Sequence, residues 1–248
     1  MHACCGIARL IPLLASIACG VPSGLAFKAA SAEFVVVQTV LTTTRPTQAI
    51  WIERSRPADS ALTMVLTPLT PAPGRIEVRD TLGDVFRFSP DPENPARFTA
   101  DFTPVPGRRY DLLVEAEARR VTGSVVVPLP VALLEPAGDT VTVSPGDSLR
   151  VRWTSEPGSH YAWTVSPLDS ALWDRAPARE FTRDTVVVLP GFFFGRSSVV
   201  WVLSMDSATW AYFQARLGPE QRAILGNVVG GAGVFGAMTA ASVVVQGR

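Results

Sequence analysis

Between Glu33 and Ser204 the chain is a succession of short β-branched and aromatic runs cut by proline and glycine, and no stretch carries the 3.6-residue period of a helix. No other feature limits the fold as much, because strands recurring at about 8–12 residues with turn signals between them pack as sandwiches. The first seven runs cover residues 33–43, 47–54, 75–80, 85–88, 97–102, 110–118 and 121–128. Asp80-Thr-Leu-Gly83-Asp84 reads as a hairpin-like turn between two of them. Pro128-Leu-Pro130 closes the set, since proline cannot donate to a ladder, and puts a domain boundary near residue 130.

A second set follows at residues 139–144, 148–154, 160–165, 183–189 and 197–204. Pro106-Gly107-x-x-Tyr110-x-x-x-Val114 recurs as Pro157-Gly158-x-x-Tyr161-x-x-x-Val165, a tight turn feeding a strand whose Tyr and Val share one face. The turn sits late in the first set and early in the second, so it supports a shared class and not a duplication. Valine triplets starting at Val35, Val125, Val186 and Val243 read as strands covered on both sides. The expectation is a mainly β protein of two immunoglobulin- or fibronectin-like β-sandwiches at 33–130 and 131–248. The second carries a short helical insertion near 206–225. There Asp206 is placed to cap a helix, Trp210, Phe213 and Leu217 share one face, and Gly218-Pro219 stops it. The helix lacks a cationic face, which favours a lid over one end of the second sandwich rather than a membrane-surface helix. Trp51, Trp153, Trp163 and Trp201 fall within the strand runs and are expected in the core.

All three cysteines, Cys4, Cys5 and Cys19, lie at the start. The body of the protein therefore offers no thiolate metal site, disulfide framework or cysteine nucleophile. His2 and Arg9 precede an apolar stretch from Leu10 to Ala18, which reads as a signal peptide over residues 1–18. Ser16-Ile17-Ala18-Cys19 resembles a bacterial lipobox, with Ser16 where leucine is usual, and makes Cys19 the expected lipid attachment residue. Cleavage at another small residue, or an uncleaved anchor, is the alternative. Residues 19–32 would then be the linker between lipid and domain. With 22 basic and 22 acidic residues the formal charge is zero, which offers no field for nucleic acid.

Gly231-Ala-Gly233-Val-Phe-Gly236 fits the dinucleotide fingerprint G-x-G-x-x-G, but only 12 residues follow it and none is acidic, so the strand–helix–acid context is missing. The glycines are better read as a tight crossing into a last strand over residues 242–246. Together with Cys19, the Pro106-Gly107-x-x-Tyr110 turn and Ser207-Ala-Thr-Trp-Ala-Tyr212, the segment Asn227-Val-Val-Gly230-Gly231-Ala-Gly233-Val-Phe235-Gly236 resembles a family of uncharacterised bacterial envelope lipoproteins, often encoded beside TonB-dependent outer-membrane receptors. The resemblance implies architecture and an outer-membrane location, and no reaction.

His160 would be the one histidine of the mature chain, and its place beside Pro157-Gly158 reads as an exposed turn residue. Asp91 with Glu93 and Asp169 with Asp174 are carboxylate pairs in proline-bearing loops, where solvated charge is the ordinary explanation. No catalytic residue, cofactor or metal site is nominated. Binding is better motivated. Pro190-Gly191-Phe192-Phe193-Phe194-Gly195 sets three aromatics in a row, and strand alternation cannot send all three to one core. Either a neighbouring domain or helix covers the remaining face, the simpler expectation, or it is an exposed contact. Trp173 either caps the core or anchors a partner at a loop tip. Phe192, Phe193, Phe194 and Trp173 are therefore the candidate contact residues. The expected function is a non-enzymatic, lipid-tethered interaction or receptor-accessory module at the membrane. The alternatives are a glycan-binding protein using these aromatic loops and a carboxylate-dependent hydrolase.

Overall fold

Alternating burial sorts the runs into sandwich layers. The computed structural model describes residues 33–57, 64–70, 72–168, 180–194, 197–217 and 226–248. Cys19, Trp173, Asp169, Asp174 and the stretch 219–225 lie outside those residues. The first nine strands are β1 (Phe34–Thr42), β2 (Thr47–Pro57), β3 (Met64–Pro68), β4 (Arg75–Asp80), β5 (Val85–Arg87), β6 (Ser89–Pro90), β7 (Arg97–Asp101), β8 (Arg109–Ala116) and β9 (Arg119–Val126). In β8, Tyr110, Leu112, Val114 and Ala116 point inward while the residues between them are less buried, the two-residue period of a strand with one covered face.

The neighbour orders β1-β2-β7-β6 and β5-β4-β8-β9 are the two sheets of an immunoglobulin sandwich. Their inner faces meet in one core that includes Val35, Val37, Ile50, Ile52, Val78 and Phe98. Tyr110, second residue of β8, reaches back to the corner before the strand, where its hydroxyl accepts the Val105 N–H at 2.9 Å.

The second sandwich uses β10 (Leu133–Glu135), β11 (Thr140–Val143), β12 (Ser148–Trp153), β13 (His160–Pro167), β14 (Glu180–Thr182), β15 (Val186–Pro190) and β16 (Ser198–Met205). Helix α1 (Ser207–Leu217) follows, then β17 (Ala232–Gly247). The sheet β10-β12-β15 faces β14-β13-β16-β17, with β11 paired to β17. Trp153, Trp163, Tyr161, Val200 and Val243 fill the core between them. Tyr161 Oη accepts the Glu156 N–H at 2.7 Å. The two Pro-Gly-x-x-Tyr corners thus share local geometry but enter non-equivalent strands.

The two modules are joined by β17. Residues 232–238 run parallel to β1, and residues 238–245 pair antiparallel with β16. Phe235 and Ala237 lie in the first core, Val243 and Val245 in the second. A boundary at residue 131 therefore assigns to the second sandwich a strand whose first half pairs with β1 and packs in the first core, and ten strands form one continuous sheet. On that sheet's outer face α1 lies over the seam, with Trp210 and Phe213 packed against Leu203, Met205 and Met238. The helix covers a sheet face, where the sequence suggested one end of the sandwich. Asp206 caps it, accepting the Ala208 N–H at 3.0 Å and the Ala237 N–H of β17 at 2.8 Å. Tyr212 Oη donates to Gln38 Oε1 of β1 at 2.6 Å.

Candidate interaction surface

Strand β15 and the turn after it contain no charged residue from Val186 to Phe194. Gly191 N–H donates to Asp147 O at 2.8 Å. A Cβ at Gly191 would stand 2.0 Å from Ser144 O, so this backbone approach admits only glycine. The residues Gly191–Phe193 form a single 3-10 turn, closed by Phe194 N–H on Gly191 O at 3.0 Å. The turn sends Phe194 back into the second core, 1% exposed, and leaves Phe192 69% and Phe193 41% exposed. The two outer rings stack with centroids 5.0 Å apart and planes 25° from parallel. Of the three phenylalanines proposed as contacts, Phe194 is a core residue instead. Among the described residues no neighbouring domain or helix covers the other two.

The exposure continues along β15. Val186 and Val188 are open to solvent while Leu189 is buried, so this triplet is not covered on both sides as its composition suggests. Among the four triplets only the one starting at Val35 is wholly buried. Opposite Val186 and Val188 on β12 stand Arg152 and Arg150, which share the Glu135 carboxylate at 3.1 and 3.2 Å. The turn that grips Gly191 also lines an open hollow of about 540 Å³ between residues 141–143 and 146–149. Its one acid, Asp147, accepts the Ser144 N–H at 3.3 Å.

The other singled-out residues have structural surroundings. Asp91 accepts the Glu93 N–H and pairs with Arg97. The N–H bond and the guanidinium hold its carboxyl below the ordinary range. His160 begins β13, half-buried, with its ring 5.0 Å from Trp210 and 25° from parallel, so it is not the exposed turn residue that its Pro-Gly neighbours suggest. Burial, together with the nearby Arg183 charge, pushes its pKa down against the pull of Asp206. Trp153 and Trp163 are core residues, and half-buried Trp201 donates to Ser166 Oγ at 3.1 Å. Trp51 is not: it is 39% exposed on the outer face of the long sheet, with the Arg97 guanidinium 5.9 Å from its ring. Among the described residues no three His, Cys, Asp or Glu side chains gather as metal ligands, and no helix is long and apolar enough to cross a membrane.

The glycine signature is a clasp. Asn227 Nδ2 donates to Phe235 O at 2.7 Å while its Oδ1 accepts Phe235 N–H at 2.9 Å. Val229 bridges to Thr122 of β9, so the segment ties the edge strand β9 of one sheet to β17 of the other. Gly231, Gly233 and Gly236 face Val35 O, Val37 O and Thr209 Oγ1, where a Cβ would stand 2.6, 1.9 and 2.0 Å away. The fingerprint spacing thus records two close approaches to the β1 backbone and one to the Thr209 side chain of α1.

A family model described as domain of unknown function (DUF4249) matches residues 25–243. No curated protein matches the chain at a significant level. Among solved structures, a titin A168169 substructure is 11% identical, covering 88% of this chain and 100% of that one at a TM-score of 0.24. A two-domain fibronectin type-III segment from chicken tenascin is 13% identical over 86% of this chain and 97% of its own, with a TM-score of 0.25. Three N-terminal domains of the bacteriophage RB49 highly immunogenic outer capsid protein are 12% identical, over 87% of this chain and 59% of that one, with a TM-score of 0.26. The immunoglobulin topology stands on the strand orders themselves.

Proposed function

The chain belongs to the DUF4249 family, a domain of unknown function, and on that footing we propose that it is a non-enzymatic lipoprotein of the bacterial envelope whose paired sandwiches form an interaction or receptor-accessory module. The observation that carries this reading is the stacked Phe192–Phe193 pair, exposed on a turn that Gly191 pins to the body of the second sandwich. Two large rings held in water by a rigid backbone cost little ordering entropy when a partner covers them, which is what an interface anchor requires. The lipobox-like Ser16-Ile17-Ala18-Cys19 supplies the tether. A lipid at Cys19 confines the module to a membrane, and confinement raises its effective concentration toward a membrane partner, so modest intrinsic affinity suffices. An outer-membrane receptor is the partner this reading proposes.

Capture from solubilised envelopes tests it, comparing wild type with the double variant Phe192→Ser and Phe193→Ser. The double variant is expected to lose specific captured proteins, and an unchanged set contradicts the reading. Metabolic labelling with a palmitate analogue tests the anchor: label is expected on wild type and absent from Cys19→Ala, and equal labelling defeats it.

One observation favours the glycan-binding alternative. Trp51 is a solvent-facing ring beside Gln38, Glu53 and Arg97. Those polar groups already hold one another or their neighbours, Gln38 Nε2 with Glu53 at 3.3 Å and Arg97 with Asp91, so the platform is largely satisfied without a sugar.

A further inference from the structure

Among the described residues β15 is the last strand of its sheet. Trp153 N–H reaches Thr185 O at 3.0 Å and Gly191 N–H reaches Asp147 O at 2.8 Å, so in the antiparallel pairing with β12 the odd-numbered residues 185–191 turn their peptide groups toward β12. Val186 and Val188 consequently turn their N–H and C=O groups outward, and Pro190 contributes a carbonyl there. Among the described residues no strand pairs with that side. Sheet edges are ordinarily blunted by lysine or proline, by inward charges or by bulges, because a flat apolar edge recruits another strand. The stretch from Val186 to Pro190 carries none of these devices before its terminal proline, and the next exposed residues are Phe192 and Phe193.

We propose that this edge is a strand-acceptor site, at which an extended segment of a partner protein pairs with β15 and places apolar side chains against Val186, Val188 and the Phe192–Phe193 stack. The inference rests on the interaction-module reading and names its mode of contact. Backbone complementarity specifies an extended peptide: two residues of β15 offer both a donor and an acceptor at the spacing of a strand. Charge adds a preference. Arg150 and Arg152 share one carboxylate, Glu135, so these three side chains together carry a net positive charge opposite Val186 and Val188, which favours an acidic side chain on the incoming strand's outward face.

The probe is a fluorescein-labelled octapeptide of two Val-Thr-Glu-Thr repeats, which sets valine and glutamate on one face and threonine on the other, titrated into the full chain by fluorescence anisotropy. Saturable binding is expected, weakened about tenfold or more by Val188→Pro, because proline deletes an edge donor without touching the β12 ladder. A peptide N-methylated at alternate amides is expected to lose binding to the unaltered protein, which keeps the test valid if Val188→Pro destabilises the fold. Absence of saturable binding, or equal affinity of the methylated peptide, overturns the proposal. Sedimentation of the full chain reports the competing occupant. If wild type is dimeric and Val188→Pro monomeric, a second copy fills the edge and the partner-strand proposal falls. Should envelope capture depend on Phe192 and Phe193 while Val188→Pro and the methylated peptide change nothing, the interaction reading survives and the strand-acceptor site does not.

Discussion

Three consecutive phenylalanines have opposite energetic roles because one 3-10 turn rotates them differently. Phe194 is 1% exposed in the second core and Phe192 is 69% exposed. Phe194→Ala should cost about 3–5 kcal/mol through the cavity it leaves, whereas Phe192→Ala should change stability by about 0.5 kcal/mol or less. Chemical denaturation of both variants checks the pair. Their sequence shows that the rings cannot share one face, but not which ring turns inward; that depends on the Gly191 contact with Ser144 and Asp147, more than forty residues away. At Asp80, burial raises the carboxyl pKa, but the Arg108 guanidinium and the N–H groups of Leu82 and Asp84 outweigh it and hold the pKa below the ordinary value. A depressed acid contributes stability above its unfolded pKa of about 3.9 and loses it as pH falls through the native pKa. The gap in melting temperature between wild type and Asp80→Asn should therefore be constant above about pH 5 and shrink below it.

At the scale of elements, α1 was legible and β17 was not. Asp206, the Trp210/Phe213 spacing and Gly218-Pro219 mark a helix from local signals alone. Only residues 242–246 of β17 look like a strand, because Ala232–Ala241 is rich in glycine and alanine, residues with low strand propensity. Tertiary pairing decides the matter: β1 on one side and α1 above require small residues at Gly233 and Gly236. Edge status was equally hidden. Nothing in a valine triplet says whether neighbours cover it, so Val35 and Val186 look alike and are buried to opposite extents. The clasp predicts its own cost. Asn227→Ala removes both bonds to the Phe235 backbone and should destabilise by about 1–3 kcal/mol, read as an earlier denaturation midpoint with an unchanged slope.

Because β17 contributes to both cores, the molecule is one body with two sandwiches and not two beads on a linker. A single cooperative unfolding transition is expected, and deletion of residues 226–248 should unfold residues 33–130 as well, since that cut removes Phe235 and Ala237 from the first core. Two separate calorimetric transitions, or a stable first sandwich after deletion, would contradict the shared strand. Rigidity has a functional consequence, since a stiff pair presents the Phe192–Phe193 turn at a fixed place relative to its first strand. The most direct test of that role is site-specific photocrosslinking in living cells, with a benzophenone side chain at position 192 and a control at Leu82, which is 72% exposed on the first sandwich. The account predicts a discrete light-dependent adduct from position 192 and none from position 82; no adduct at 192, or the same adducts from both, would contradict it.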